Sequence, residues 1–333
     1  MSDPKTSDQW PQARAKRVAK EGRRIQARMD AIDRDKEDRS ESKEEIPQTG
    51  QRDYPATLEE THLTKPGLER DLETAPMYEA PAYKGSEKLK DMVALISGGD
   101  SGIGRAVAVL FAREGADVAI SYLEETEDAR ETKRAVEAEG GRCVLLPGDV
   151  ADPGYCKDAV HETIEKLGSL DILVNNAAFQ EHAGSITDIT DAHFDRTLKT
   201  NLYGYFYLAR AAVPHMKPGG SIIMTGSVTG LQGSNELLDY SMTKGGIHAF
   251  ARSLSASLLS RGIRVNCVAP GPVWTPLNPA DRPAKDVRTF GTSTPMGRAA
   301  QPEEIAPAYV FLAAPVCSSY ITGEILPIIG GYD

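Results

Sequence analysis

The chain has 333 residues, enough to bury a sizeable core, and its 40% apolar and 26% charged content is ordinary for a globular protein. Its net charge of −10 argues against nonspecific binding to nucleic acid or to an anionic membrane surface. No early apolar run resembles a signal peptide and none approaches the ~20 residues that span a bilayer, so a cytoplasmic protein is expected.

Residues 1–45 form a charged tail with 12 Lys/Arg, 11 Asp/Glu and few large apolar residues. Val18, Ile25 and Ile32 recur every seven residues, so both a disordered tail and a helix that docks on a partner stay open. Residues 46–90 alternate Pro47, Pro55, Pro66, Pro76 and Pro81 with spaced Leu and Tyr, which predicts an extended arm rather than a separate fold. From 91 to 333 short apolar runs alternate with helical patterns. Strands are predicted at 92–97, 118–120, 142–146, 170–174, 221–225, 264–268 and 324–328, with helices at 103–114 and 125–139 among those between. This order predicts an α/β fold, a single doubly wound parallel sheet with helices on both faces.

Between the first strand and its helix lies the glycine turn Gly98-Gly-Asp-Ser-Gly102-Ile-Gly104. Glycines there permit a tight turn and close approach of a pyrophosphate, whose charge suits the N–H groups of a helix start. The spacing is GxxxGxG rather than GxGxxG, so by itself the motif is weak. Further on stand Ser227 and Tyr240-Ser-Met-Thr-Lys244. A tyrosine and a lysine at i and i+4 share one helix face. Free tyrosine has a pKa of about 10, and a neighbouring cation such as Lys244 would favour the phenolate. The four cysteines (Cys143, Cys156, Cys267, Cys317) lack CxxC spacing, so buried reduced thiols and no metal are expected. The six histidines show no triad or metal spacing, and a surface position is the default; His182 alone lies in a loop near the expected substrate.

Taken in order, Ser97 to Gly104, Asn175-Asn-Ala-Ala178, Asn201, Ser227, Tyr240xxxLys244 and Pro270-Gly271 resemble the motif set of the short-chain dehydrogenase/reductase family over residues 91–333. The arm and the run from Tyr240 to Pro276 are similar to a bacterial subgroup related to stress proteins and to plant glucose and ribitol dehydrogenase homologues. The resemblance implies an NAD(P)-dependent oxidoreductase acting on an aldehyde, ketone, sugar or polyol. It makes Tyr240 the general acid/base, Lys244 its activator and ribose anchor, Ser227 the substrate-oxygen donor and Asn201 the holder of a water. It places Gly98, Asp100, Ser101, Gly102, Ile103, Gly104, Tyr122, Asp149, Val150, Asn176, Ala177, Pro270, Gly271, Val273 and Thr275 against the cofactor, with Asn175 bracing the strand beside it. It also implies a homotetramer, or failing that a dimer.

No basic residue occurs from Val118 to Ala129, and Asp100-Ser101 occupies the glycine turn, which favours NAD. Tyr122 stands where an aspartate would decide the matter, and Ser101 and Ser121 leave NADP open. The pocket walls are expected from 179–183, 231–238 and a lid over 274–290, with Gln180, Gln232 and Asn235 as candidate contacts to a hydroxylated substrate. Two other readings are weighed. A cofactor-sensing stress or scaffold protein would not need the Ser, Tyr, Lys and Asn set, and a methyltransferase has no use for Tyr240xxxLys244.

Overall fold

In the first strand Ala94 and Ile96 pack to one side and Val93 and Leu95 to the other, so the segment is apolar throughout because both faces are buried. The computed structural model describes Arg28, Ile46, residues 48–50 and residues 52–332, and it assembles seven strands into one sheet. They are β1 (Val93–Ser97), β2 (Asp117–Tyr122), β3 (Cys143–Pro147), β4 (Ile172–Asn175), β5 (Ser221–Thr225), β6 (Arg264–Pro270) and β7 (Ile325–Ile328). Their order is β3-β2-β1-β4-β5-β6-β7, and every pairing is parallel. The doubly wound sheet expected from the alternation of strands and helices is present. Apart from Arg28, the tail expected over residues 1–45 lies outside the described residues.

Among the described residues seven longer helices connect or flank the strands: α1 (Gly102–Arg113), α2 (Thr126–Ala138), α3 (Pro153–Leu167), α4 (Asp191–Leu198), α5 (Gly204–Ala212), α6 (Leu238–Leu258) and α7 (Pro302–Ala313). Val107, Val136 and Tyr309 bring α1, α2 and α7 into the core on one face of the sheet. Val160, Leu208 and Ile247 bring α3, α5 and α6 into the core on the other. Each such side chain contributes about 1.5–3 kcal/mol on leaving water. Local signals set the helix ends. Asp152 caps α3 by accepting the Gly154 N–H, Pro153 opens it, and left-handed Gly168 stops it. Because β1 lies between β2 and β4, the chain leaves it toward opposite sides, and a crevice opens at the strand C-termini.

The arm runs along this crevice. Leu58, Leu63 and Leu72 form a third apolar cluster with Trp274, Ala280, Val287 and Ala299. The Leu63 N–H donates to the Pro279 carbonyl at 2.9 Å, and the Trp274 indole N–H donates to the Thr74 carbonyl at 2.9 Å. The arm ends on α1. Burial would raise the Glu114 carboxyl, but hydrogen bonds from Tyr83, Lys88 and Ser86 hold it at about 2.

Candidate active site

The glycine turn brings three strand ends together. The Ser97 hydroxyl accepts the N–H groups of Asn176 and Ala177, and the Asn176 amide donates to the Gly98 carbonyl at 2.9 Å. Thr225 at the end of β5 donates to the Asn176 side-chain oxygen at 3.0 Å. Two glycines have a visible steric reason. A Cβ on Gly104 would stand 1.9 Å from the Gly98 carbonyl oxygen. Gly102, at φ +50°, would carry one to 2.8 Å from the Thr275 methyl.

Tyr240 and Lys244 lie on the buried face of α6, with Asp239, Thr243, Ile247 and His248. The Lys244 ammonium donates to the Thr225 carbonyl at 2.7 Å and sits 5.2 Å from the centroid of the Tyr240 ring. Ser227 follows β5. Its hydroxyl oxygen accepts the N–H and the hydroxyl of Thr229 at 3.1 and 3.0 Å. Asn201 belongs to a π turn, Lys199–Tyr203, between α4 and α5. Its amide brackets Phe179, accepting the N–H at 2.8 Å and donating to the carbonyl at 2.9 Å, and it also donates to Thr243. The side chain thus works on the loop after β4. Asn175 is fully buried and donates weakly to the Tyr205 carbonyl, at 3.4 Å.

Burial pushes the Tyr240 phenol above its ordinary range, against the hydrogen bond from Ser227 and with help from Asp281. The same burial lowers the Lys244 ammonium to about 8. The thiols of Cys143, Cys156 and Cys267 are buried and pushed up to about 12 by desolvation, in keeping with inert reduced cysteines. Among the described residues no cluster of His, Cys, Asp and Glu is arranged to hold a metal.

A cleft of about 550 Å³ runs along the strand C-termini. Gly98, Asp100, Ser101, Ile103, Tyr122, Asp149 and Val150 line one end of it, and Ser227, Tyr240 and Lys244 line the other. Asn176, Ala177, Pro270, Gly271, Val273 and Thr275 lie along it too, while Gly102, Gly104 and Asn201 stand behind the wall. Burial first, and then Glu125, raise the Asp100 carboxyl to about 7. Ser101 donates to Asp100 at 2.8 Å and Ser121 pairs with the Tyr155 hydroxyl at 2.8 Å, so both serines considered for a phosphate already have partners. Asp149 pairs with Arg196 at 2.7 Å.

At the substrate end Phe179, Gln180, Ser234, Leu237 and the lid residues Thr275 to Asn278, Arg282 and Phe290 form walls. Gln232 and Asn235 are exposed and outside the cleft. The Gln180 amide donates to Asp281 of the lid, and the His182 N–H reaches the same carboxylate at 2.6 Å. His182 pairs with Asp281 and does not line the cleft. Two features escape the sequence reading. His248 is buried, against the surface default, and Lys65, Pro66 and Gly67 of the arm line the cleft. Nothing local in the sequence distinguishes either.

The cleft fits a dinucleotide. It lies at the strand C-termini beside a helix start, and the backbone at Gly102 approaches Thr275 too closely for any side chain. A family model described as enoyl-(acyl carrier protein) reductase matches residues 98–333. The chain is 52% identical over 279 residues to general stress protein 39 of Bacillus subtilis (strain 168), spanning 84% of this chain and 97% of that one. It is 45% identical over 282 residues to NADPH-dependent aldehyde reductase 1, chloroplastic, of Arabidopsis thaliana, spanning 83% and 98%. Among solved structures, a short-chain dehydrogenase from Burkholderia cenocepacia J2315 in complex with NADP matches with a TM-score of 0.68 and 34% identity, over 73% of this chain and 98% of that one.

The chain belongs to the short-chain dehydrogenase/reductase family, and it is an NAD(P)-dependent oxidoreductase.

Proposed function

We propose that the protein reduces aldehydes or ketones and oxidises the matching alcohols, sugars and polyols included, with Tyr240 as the proton donor and acceptor. The observation that carries this reading is the burial of Ser227, Tyr240 and Lys244 at one end of a single cleft. The phenol is protonated near neutrality, as a general acid in carbonyl reduction must be. Ser227 accepts two hydrogen bonds from Thr229 and directs its own proton toward Tyr240, from which it can turn to the substrate oxygen. Tyr240 then gives its proton to that oxygen, and the Lys244 charge offsets the phenolate left behind. Asn201 holds Phe179 at the mouth; its expected water is part of this proposal.

A nicotinamide dinucleotide, when bound, supplies or accepts the hydride. Tyr122, Asp149 and Val150 would hold its adenosine end, Ser101 and Ile103 its phosphates, and Asn176, Ala177, Pro270, Gly271, Val273, Thr275 and Lys244 its nicotinamide half. We favour NAD over NADP because two buried carboxylates, Asp100 and Glu125, stand together at the adenosine end. The alternative of a cofactor-sensing scaffold leaves the buried Ser227, Tyr240 and Lys244 without a task. The exposed apolar residues Tyr203, Phe206, Leu238 and Met242 favour self-association, and a homotetramer is our first reading. Among the described residues no helix is long and apolar enough to cross a membrane, and we place the protein in the cytoplasm.

The test is nicotinamide absorbance over a panel of aldehydes, ketones, sugars and polyols with NADH and NADPH. Tyr240→Phe should lower kcat by at least about a hundredfold while cofactor binding persists. Unchanged turnover would remove Tyr240 from the mechanism.

A further inference from the structure

Lys65 belongs to the arm, before the span of the family model, yet its ammonium sits where two walls of the substrate end meet. It donates to the Gln180 carbonyl at 2.8 Å and to the Ala280 carbonyl at 3.1 Å, and it pairs with Glu181 at 3.0 Å. Its charge also lies 5.2 Å from the Phe179 ring centroid. Gln180 and Glu181 come from the loop after β4, and Ala280 comes from the lid. The two carbonyls take two of its three protons, and the Glu181 carboxylate beside it balances its charge. Lys65 is therefore committed to the walls rather than to a ligand.

Neighbouring contacts hold the lysine in place. Gly67 lets the arm backbone touch the lid, since a Cβ there would be 2.8 Å from the Pro276 carbonyl oxygen. Glu69 is buried, accepts the Gly102 N–H at 2.7 Å and pairs with Arg105, which fastens the arm to the start of α1. The Glu69 N–H donates in turn to Asp128 at 2.7 Å. Across the lid the Asp281 carboxylate, whose side chain is buried, takes hydrogen bonds from Gln180 and His182. The lid is thus pinned to the loop after β4 from both sides, by Asp281 within the domain and by Lys65 from the arm. The match to general stress protein 39 covers 84% of this chain, more than residues 98–333 contain, so the likeness extends into the arm.

We propose that Lys65 is a positioning residue of the substrate pocket: the arm latches the lid onto the loop after β4 and so sets the mouth that admits the carbonyl substrate. The proposal rests on the function argued above. It reaches past it by making the arm, outside the family domain, part of the active site.

The test uses the full chain and compares Lys65→Met with Lys65→Arg. Methionine keeps the length and apolar stem but donates nothing, whereas arginine restores donors and charge. Lys65→Met should raise amide hydrogen exchange severalfold in residues 179–183 and 276–290. It should raise KM for the carbonyl substrate about tenfold with kcat within about twofold, the scale of losing a charge-assisted hydrogen bond, and leave the NADH Kd unchanged. Lys65→Arg should recover most of both effects. Unchanged exchange overturns the latch whatever the turnover, and raised exchange with an unmoved KM overturns the positioning role. Equal behaviour of the two variants overturns the hydrogen-bonding account. Should Lys65→Met fold poorly, Lys65→Gln gives the same readouts in smaller measure. Turnover that survives Tyr240→Phe defeats the catalytic reading, while the exchange measurement still decides the latch.

Discussion

The backbone N–H of Ser227 donates to Nε2 of His248 at 3.4 Å, joining the turn after β5 to the helix that carries Tyr240 and Lys244. The fit is close enough that a Cβ on Gly226 would stand 2.3 Å from that nitrogen. His248 lies one helical turn beyond Lys244, so the imidazole and the ammonium share the buried face of α6. Ser227 is therefore held in register with the tyrosine through a side chain that takes no part in the chemistry.

Burial, followed by the Lys244 and Arg252 charges, lowers His248 to about 4, so its ring is neutral at pH 7 and can accept from Ser227. With the folded pKa below the unfolded value of about 6.5, the unfolded chain binds more protons between the two, and stability falls as pH drops from 6.5 toward 4. His248→Gln should flatten that decline in thermal melts taken from pH 7 to 4.5. It should also lower kcat more than it raises KM, because the serine loses its register. A variant with the wild-type acid slope would show that His248 does not titrate this way.

Lys244 shifts in the same sense, but in an alkaline window. Its folded pKa of about 8 lies below the ordinary lysine value, so below pH 8 the fold carries a desolvated charge. Between about 8 and 10.4 the unfolded state holds the extra proton, and wild-type stability gains from Lys244 as pH rises. Lys244→Met removes the titration, so wild type should gain on the variant as melts proceed from pH 7.5 to 10. A constant difference across that range would mean the ammonium is not desolvated. Activity in Lys244→Met should be lost at every pH.

Asp100 and Glu125 give the cofactor preference a specific test. Burial and then Glu125 lift Asp100 to about 7, so the pair carries more negative charge as pH rises through neutrality. A 2′-phosphate should be repelled more at pH 8 than at pH 6. Glu125→Gln should improve NADPH affinity relative to NADH by about fivefold or more, the effect of removing one close charge at an effective dielectric near 20. Titration of nicotinamide fluorescence with both cofactors reads this ratio. A ratio unmoved by both pH and the substitution would separate these carboxylates from cofactor choice.

Much of the architecture is legible along the chain because it is local. The run from Val93 to Ser97 is apolar since both its faces are covered, and the predicted strand at 221–225 coincides with β5. The glycine turn is readable because Gly104 has a steric duty that only a missing side chain can meet. Tyr240 and Lys244 share a helix face through a spacing of four, and Ser227 joins them by motif. Where the reading fell short, the partners are distant in sequence. What the sequence did not show of Gln180, a candidate substrate contact that lines the cleft, is that its amide also holds Asp281, about a hundred residues later. His248 shows no signal because its partner, the Ser227 N–H, is a backbone group. The tyrosine pKa depends on desolvation, which no spacing reports.

The sequence by itself determined the parallel sheet, the glycine turn and the Tyr–Lys spacing, because each rests on short-range periodicity or on the sterics of one position, while Ser227 joined them through the family resemblance. Only the tertiary structure decided that Lys65 of the arm reaches the cleft and that burial raises the Tyr240 phenol. Both depend on segments far apart along the chain excluding water from the same place, and solvent exclusion belongs to the folded whole.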